Sequence, residues 1–331
     1  MMRFGLSLGV SAREPLARAV EVLRQADAGG IDCAWVIDSQ LIMKDAYVVL
    51  TLAAGATHHL RLGTGVTNPI TRHLTVTANA AAALREASDG RFVLGLGAGD
   101  SAVYPLGRWP ASLRTCREAI ETIRTLLDGK EAGVDGRRLR LATAAGPVPI
   151  FLAASQPKML GLAGQVADGV IVLGIADPDF TRQQIAIIRE GAAAAGRLPG
   201  EPFVDLWVTV SVSADRAAAL NDVRSWASTQ ARWIARWKTM PAVLQPFAGE
   251  IAAAAAAYDF GEHLSRRAGH RHTVSDGFTN AVAVAGPREE CVARLRALAA
   301  TGVDRITVTL LSGGRTERLR VLCEEVFPGV N

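Results

Sequence analysis

The sequence predicts an α/β protein built as a closed (β/α)8 TIM barrel. Three observations carry that prediction. Eight short β-rich runs alternate with amphipathic helical segments along the chain. Several of the runs are apolar on both faces, as parallel strands are when helices cover one side and a core the other. No Pro-, Gly- or Ser-rich linker divides the 331 residues, so 1–331 reads as one domain. A doubly wound sheet should carry a glycine-rich phosphate fingerprint in its first strand–helix turn, and that turn is Leu8-Gly9-Val10-Ser11.

The elements follow in order. Residues 3–8 form a first strand. Pro15 opens a helix whose Leu16, Val20 and Leu23 share a face, and Gly29-Gly30 ends it. A second strand at 33–37 precedes a helix over 45–54. A third at 61–66 precedes one over 74–87. The fourth, at 91–97, leads to a helix marked by Leu113, Cys116, Ile120, Ile123 and Leu127. A hairpin insertion over 134–141, turning at Asp135-Gly136, separates it from a fifth strand at 150–154. Pro157 opens the next helix, the sixth strand spans 169–173, and Asp177-Pro178 caps a helix to about residue 195. The seventh strand covers 203–212. The predicted helical insertion between strands seven and eight covers 209–278, over the active-site face. It holds a long helical stretch to Tyr258 and then an irregular Arg- and His-rich segment. Gly286-Pro287 starts another helix, strand eight spans 303–310, and a helix over 316–326 closes the chain.

Composition narrows the function. With 49% hydrophobic and 21% charged residues, disorder, collagen-like repeats and coiled coil are excluded. The formal charge of +4 comes without a basic tail or stripe, so nucleic acid is not an expected partner. No apolar run approaches the roughly 18 residues of a membrane span. The opening Met-Met-Arg-Phe runs straight into a strand pattern, so no signal peptide is expected. Cys33, Cys116, Cys291 and Cys323 are far apart in apolar stretches, which reads as buried free thiols in a reducing, cytoplasmic setting. His270-x-His272 lacks a carboxylate or thiol partner at ligand spacing, so no metal is expected. His58-His59 reads as a solvated pair away from the site.

Chemistry in such a barrel sits at the C-terminal strand ends. Here they read Asp38-Ser39-Gln40, Gly63-Thr-Gly-Val-Thr-Asn-Pro69, Gly95-Leu-Gly-Ala-Gly-Asp100-Ser101, Ala153-Ala-Ser155-Gln156 and Gly174-Ile175. Gly95-x-Gly97-x-Gly99 leaves two readings open: bare backbone that a flat ring approaches closely, or a tight turn under the following helix. Trp226, Trp233 and Trp237 form one helical stripe, either core or subunit contact, or a wall over a substrate. Arg232, Arg236, Arg266, Arg267 and Arg271 could meet an anion or stay solvated.

The segments LGTGVTNPITRH and LREASDGRFVLGLGAGDS, with MRFGLSL, AWVIDS, GPVPIFLAAS, ADGVIVLG and AVAVAGPREECVARLRALAATGVDRITVTL, resemble the luciferase-like flavin and deazaflavin oxidoreductases in order along nearly the whole chain. The pairing of TNPITRH with GLGAGDS is most similar to the coenzyme F420-dependent, methylenetetrahydromethanopterin reductase-like branch. The resemblance implies a barrel enzyme, expected as a homodimer, moving hydride between F420 and a small organic substrate. FMN with monooxygenase chemistry is the alternative, and a non-catalytic cofactor-binding relative a third. It implies a non-prolyl cis peptide at Gly65-Val66 backing the deazaflavin ring, with Thr67 beside it. Asp38 is implied near the ring's polar edge, and Gly97, Ala98, Gly99 and Asp100 beside its reactive face. Ala153, Ala154 and Ser155 are implied as a wall, and Gly174 and Ile175 as backbone donors to the cofactor phosphate. His73 matches the family's Arg-His pair and is expected to orient its loop.

Two positions depart from the family pattern. Ser39 stands where relatives often carry His, so sugar-phosphate dehydrogenase chemistry is not expected. Ser7 stands where the reductases often carry an acid. Asp100 is left as the expected catalytic proton-handling group, with hydrogen bonding to its own loop as the alternative role.

Overall fold

The computed structural model describes residues 1–262, 268–310 and 314–331. Its strands are β1 (Arg3–Leu8), β2 (Cys33–Val36), β3 (Arg61–Thr64), β4 (Phe92–Leu96), β5 (Ala132–Val134), β6 (Arg137–Leu139), β7 (Ile150–Ala154), β8 (Gly169–Leu173), β9 (Phe203–Val212), β10 (Val284–Gly286) and β11 (Arg305–Leu310). The helices are α1 (Leu16–Ala28), α2 (Ala46–Ala54), α3 (Leu74–Ala87), α4 (Leu113–Leu127), α5 (Pro157–Val166), α6 (Pro178–Ala194), α7 (Arg216–Ile234), α8 (Ala248–Ala256), α9 (Asp276–Val282), α10 (Arg288–Ala299), α11 (Arg315–Val321) and α12 (Phe327–Val330).

Eight parallel strands run β9-β11-β1-β2-β3-β4-β7-β8, and β8 pairs back onto β9 to close the barrel. The antiparallel β5–β6 hairpin stands apart. It turns through Asp135 (φ 49°) and Gly136 (φ 75°), where the sequence pattern places the turn, and begins at Ala132, two residues before the expected start. Two left-handed residues in succession are the turn that matches strand twist, and Asp-Gly tolerates both.

The long helix expected to Tyr258 is broken. α7 stops at Ile234, a 3-10 segment spans Ala242–Phe247, and α8 follows. Pro241 and Pro246 account for the break, since each lacks an N–H and biases the preceding residue away from helix. β10 was not foreseen. Three residues are too few to show alternation, and Val284–Gly286 is held only by pairing with the end of β9.

The helices are seated by apolar faces and caps. Asp45 accepts from Tyr47 N (2.9 Å) and Val48 N (3.1 Å) at the start of α2, and Asp177 accepts from Phe180 N (2.7 Å) at α6. α4 buries Cys116, Ile120 and Ile123 along one stripe. Inside the barrel lies a separate cluster of Cys33, Trp35, Val93, Phe151, Ile171 and Trp207. Asp205 anchors it: Oδ2 accepts from Trp35 Nε1 (2.9 Å), Trp207 Nε1 (3.2 Å) and Arg305 (2.8 Å), and Oδ1 accepts from Thr307 Oγ1 (2.6 Å). Both charges are fully buried, so each satisfies the other in a medium that would otherwise penalise them. Cys33, Cys116 and Cys291 are buried free thiols, pushed up to about 12, 11 and 11 by burial, and Cys323 is half-buried. Among the described residues no helix is long and apolar enough to cross a membrane.

Candidate active site

A cavity of about 480 Å³ opens at the C-terminal end of the barrel. Its walls come from the chain after β2 (Ile37, Asp38, Ser39), after β3 (Gly65, Val66, Asn68), after β4 (Gly97 to Ala102, Tyr104) and from the end of β7 onward (Ala153 to Gln156, Lys158, Met159). Ile171, Leu173 and Trp207 form the floor, and Trp226, Trp233, Arg236 and Trp237 the far side. Most of the lining is carbon, with a few polar groups converging, as small-molecule sites are built.

The Gly65–Val66 peptide bond is cis. It sits directly on the tryptophan pair: a Cβ on Gly65 would lie 2.8 Å from Trp35 Cβ and 2.9 Å from Trp207 Cη2. Val66 turns toward the β4 end, where a Cβ on Gly97 would lie 2.7 Å from Val66 Cγ2. Gly99 takes φ 94°, a left-handed conformation that favours glycine, and a Cβ there would meet Val103. Of the two readings of this glycine run, the structure shows close packing within the loop. That packing also keeps the cavity side of the β4 end free of side chains.

Asp38 is buried in the cavity wall. Burial pushes its carboxyl up; the adjacent Thr67 hydroxyl and Arg72 pull the other way, and Asp45 adds to the rise. Thr67 is itself fully buried behind the wall, and its hydroxyl makes no hydrogen bond of proper geometry, nor does the Tyr47 hydroxyl. Arg72 donates to Asp45 (3.3 Å) and lies over the Tyr47 ring (4.2 Å). Ser39 and Ser101 hydroxyls bond at 2.5 Å, tying the loops after β2 and β4 together.

Asp100 stands at the cavity mouth. Its Oδ2 accepts from the Arg232 guanidinium and from Trp233 Nε1 (3.1 Å), both on α7. Arg232 is buried and lies over the rings of Tyr258 (4.8 Å) and Phe260 (4.9 Å). Asp100 thus joins the β4 loop to the insertion instead of bonding only within its own loop.

The structure therefore brings Asp38, Gly65, Val66, Gly97, Ala98, Gly99, Asp100, Ala153, Ala154 and Ser155 to one cavity, with Thr67 behind it. Gly174 and Ile175 lie beside it, in a cleft of about 20 Å³ shared with Trp226, Gln230 and Trp233. There the Gly174 carbonyl accepts from Gln230 Nε2 (3.1 Å). Trp226, Trp233 and Trp237 form a cavity wall, the sharper of the two sequence readings. Arg236 lies over Tyr104 (4.8 Å) at the mouth, Arg271 donates to Asn221 (2.6 Å), and Arg266 and Arg267 fall outside the described residues. His73 Nδ1 contacts Thr75 Oγ1 (2.7 Å) and Nε2 contacts Asp135 (3.0 Å), linking α3 to the hairpin. Ser7 is fully buried with an unpartnered hydroxyl and does not line the cavity. Sequence reasoning missed Trp207, Lys158, Met159 and Tyr104. For Trp207 a signal existed, since a large aromatic in the seventh strand must face the barrel interior or the helices.

Comparison with known proteins agrees with this arrangement. The profile of the luciferase-like monooxygenases matches residues 1–305. The chain belongs to the luciferase-like monooxygenase family. It is an oxidoreductase of that family, on a barrel shared with its solved members. The 5,10-methylenetetrahydromethanopterin reductase of Methanolobus tindarius is 32% identical over 98% of this chain and all of the relative. The F420-dependent glucose-6-phosphate dehydrogenase of Nakamurella multipartita is 36% identical over 53% of this chain and 56% of its own length. The structure of the coenzyme F420-dependent tetrahydromethanopterin reductase of Methanopyrus kandleri superposes with a TM-score of 0.80 at 25% identity. That superposition covers 100% of this chain and 99% of that one.

Proposed function

We propose that this protein is a coenzyme F420-dependent oxidoreductase that moves hydride between the deazaflavin and a small organic substrate. The observation that carries the reading is the cavity itself, a carbon-walled slot between the Gly65–Val66 bulge and the tryptophans of α7, with Asp38 and Ser39 at one polar edge. That shape and chemistry fit a flat, largely apolar ring with polar substituents on one side. The Methanopyrus kandleri reductase, which superposes on this chain along its whole length, is named as coenzyme F420-dependent, which favours deazaflavin over FMN.

When bound, the deazaflavin would supply two-electron hydride chemistry. The chain would supply position. Val66 and the Gly65 backbone support one face of the ring; Gly97, Ala98 and Gly99 line the approach to the other; Ala153, Ala154 and Ser155 limit its slide. Gly174 and Ile175 are proposed as backbone N–H donors to the phosphate end, beside Gln230, which donates to the Gly174 carbonyl. Trp226, Trp233 and Trp237 exclude water from the substrate space. A homodimer is the expected assembly, and exposed Val48 and Leu52 on α2 and Val76 on α3 are apolar surface it could cover.

Tryptophan-fluorescence titration tests the cofactor, because Trp207, Trp226, Trp233 and Trp237 all line the site. Quenching by F420 with none by FMN is expected, and tight FMN binding without F420 binding overturns the reading. Turnover is then sought with F420 and a panel of 5,10-methylenetetrahydromethanopterin, glucose 6-phosphate and 2-propanol. Glucose 6-phosphate should fail, given Ser39.

A further inference from the structure

We propose that Asp38, and not Asp100, is the carboxyl of this cavity that gives and takes a proton during the reaction. The inference rests on the oxidoreductase reading above and deepens it. Among the described residues the acidic side chains lining the cavity are these two, and their surroundings differ in kind. Asp100 Oδ2 is occupied by a guanidinium and an indole N–H. That oxygen is taken up as an acceptor by two donors of α7, so Asp100 is placed to hold the β4 loop to the insertion.

Asp38 has no salt bridge among the described residues. The charged and titratable groups that act on it are Tyr47 on α2, Asp45 at the cap of α2, and Arg72 on the loop before α3. Arg72 is committed to Asp45 and to the Tyr47 ring. Burial therefore prevails and favours the protonated carboxyl. Beside it, the buried hydroxyls of Thr67 and Tyr47 make no hydrogen bond of proper geometry among the described residues, and Thr67 lies near enough to pull against the rise of the Asp38 carboxyl. Hydroxyl protons rotate freely, so these two can turn toward Asp38 once it has lost its proton and stabilise the charge that forms. Two carboxyls in one cavity, one tied up by an arginine and an indole N–H and one buried without an ion pair among the described residues, are the arrangement that divides their roles.

The proton balance is simple. In the reducing direction a substrate C=X bond becomes C–H and X–H. The carbon takes the hydride with its two electrons from the reduced deazaflavin, and X takes the Asp38 proton. Solvent entering the cavity restores the carboxyl and takes up the N–H proton that the ring loses on oxidation, so no net proton is consumed. In the oxidising direction the Asp38 carboxylate removes the X–H proton.

Infrared difference titration of cofactor-free protein tests this on wild type, Asp38→Asn and Asp100→Asn. The expected result is a protonated-carboxyl band that persists above the usual carboxylate range in wild type and Asp100→Asn and is missing in Asp38→Asn. Its absence from wild type, or its loss only in Asp100→Asn, overturns the proposal. A kinetic arm uses F420 with the panel member that turns over. Asp38→Asn should lower kcat, measured at saturating F420, by about 100- to 1000-fold and flatten its pH profile. An unchanged kcat and pH profile in Asp38→Asn overturns the proton role and leaves the cofactor reading standing. Wild type that binds no F420 sinks the cofactor reading, and the infrared band then still decides for or against Asp38.

Discussion

Val66 and Gly97 are packed as a lock and its keyway: the isopropyl group after the cis peptide occupies the space a Cβ on Gly97 would need, 2.7 Å from Val66 Cγ2. Gly97→Ala forces one of them to move, an overpacking expected to cost about 1–3 kcal/mol. Val66→Ala opens that space again. The double variant should be more stable than the sum of the single effects predicts, because the two side chains share one volume. Urea denaturation of the four proteins measures the coupling, and simple additivity would contradict the packing.

Arg232 ties α7 to the β4 loop through Asp100 and to the following segment through Tyr258 and Phe260. Arg232→Gln removes a buried cation from two ring faces and leaves Asp100, about a third exposed, with only Trp233 as donor. A loss of about 1–3 kcal/mol is expected, less than for a fully buried pair because Asp100 can rehydrate. Limited proteolysis should then cut first between residues 235 and 262. Unchanged cleavage would show that the segment is held by other contacts.

Asp205→Ala leaves Arg305 buried without its closest anion and strips both Trp35 and Trp207 of their acceptor. Removing one partner of such a pair costs about 3–5 kcal/mol. The thermal midpoint should fall accordingly. Near-ultraviolet circular dichroism should also change, since two barrel tryptophans lose their fixed orientation.

Asp38 makes a signed pH prediction. Its folded carboxyl lies above the unfolded value because burial dominates. Below the unfolded value it is protonated in both states and has no differential effect; as pH rises past that point, ionisation costs the folded state more than the unfolded one. Asp38→Asn should therefore stabilise the protein at about pH 7 and leave it unchanged at about pH 3. Destabilisation at neutral pH would contradict the burial argument.

Asp27 has the opposite sign. Burial raises its carboxyl, but the backbone N–H groups of His58 (2.7 Å), His59 (2.9 Å) and Leu60 (2.6 Å) outweigh it and hold the group below its ordinary value. Its contribution is complete above the unfolded value and is lost as pH falls through the folded one. Asp27→Asn should thus be less stable than wild type at neutral pH, with the difference closing in strong acid. A constant gap across the titration would assign the effect to packing instead.

The barrel was legible in the sequence because its periodicities are local. Strands such as Gly169–Leu173 and helices such as α4 announce themselves within a dozen residues, and Pro15, Pro157 and Asp177 mark where helices begin. The strand ends that build the cavity were legible for the same reason: in a parallel barrel every C-terminal end must meet at one mouth. Asp38, Gly65, Val66, Gly97 and Asp100 could be placed there from order alone.

What the sequence could not determine depends on which residues meet across long separations. Arg232 lies 132 residues from Asp100, and nothing local marks either as the other's partner. The same holds for Asp205 and Trp35, 170 residues apart. By itself the sequence determined the barrel, its mouth and the residues gathered there. Only the tertiary structure decided that Asp100 is pinned by α7 while Asp38 stays buried with no ion-pair partner among the described residues. The physical reason is that a carboxyl's protonation follows its surroundings, and those surroundings are assembled from several strands at once.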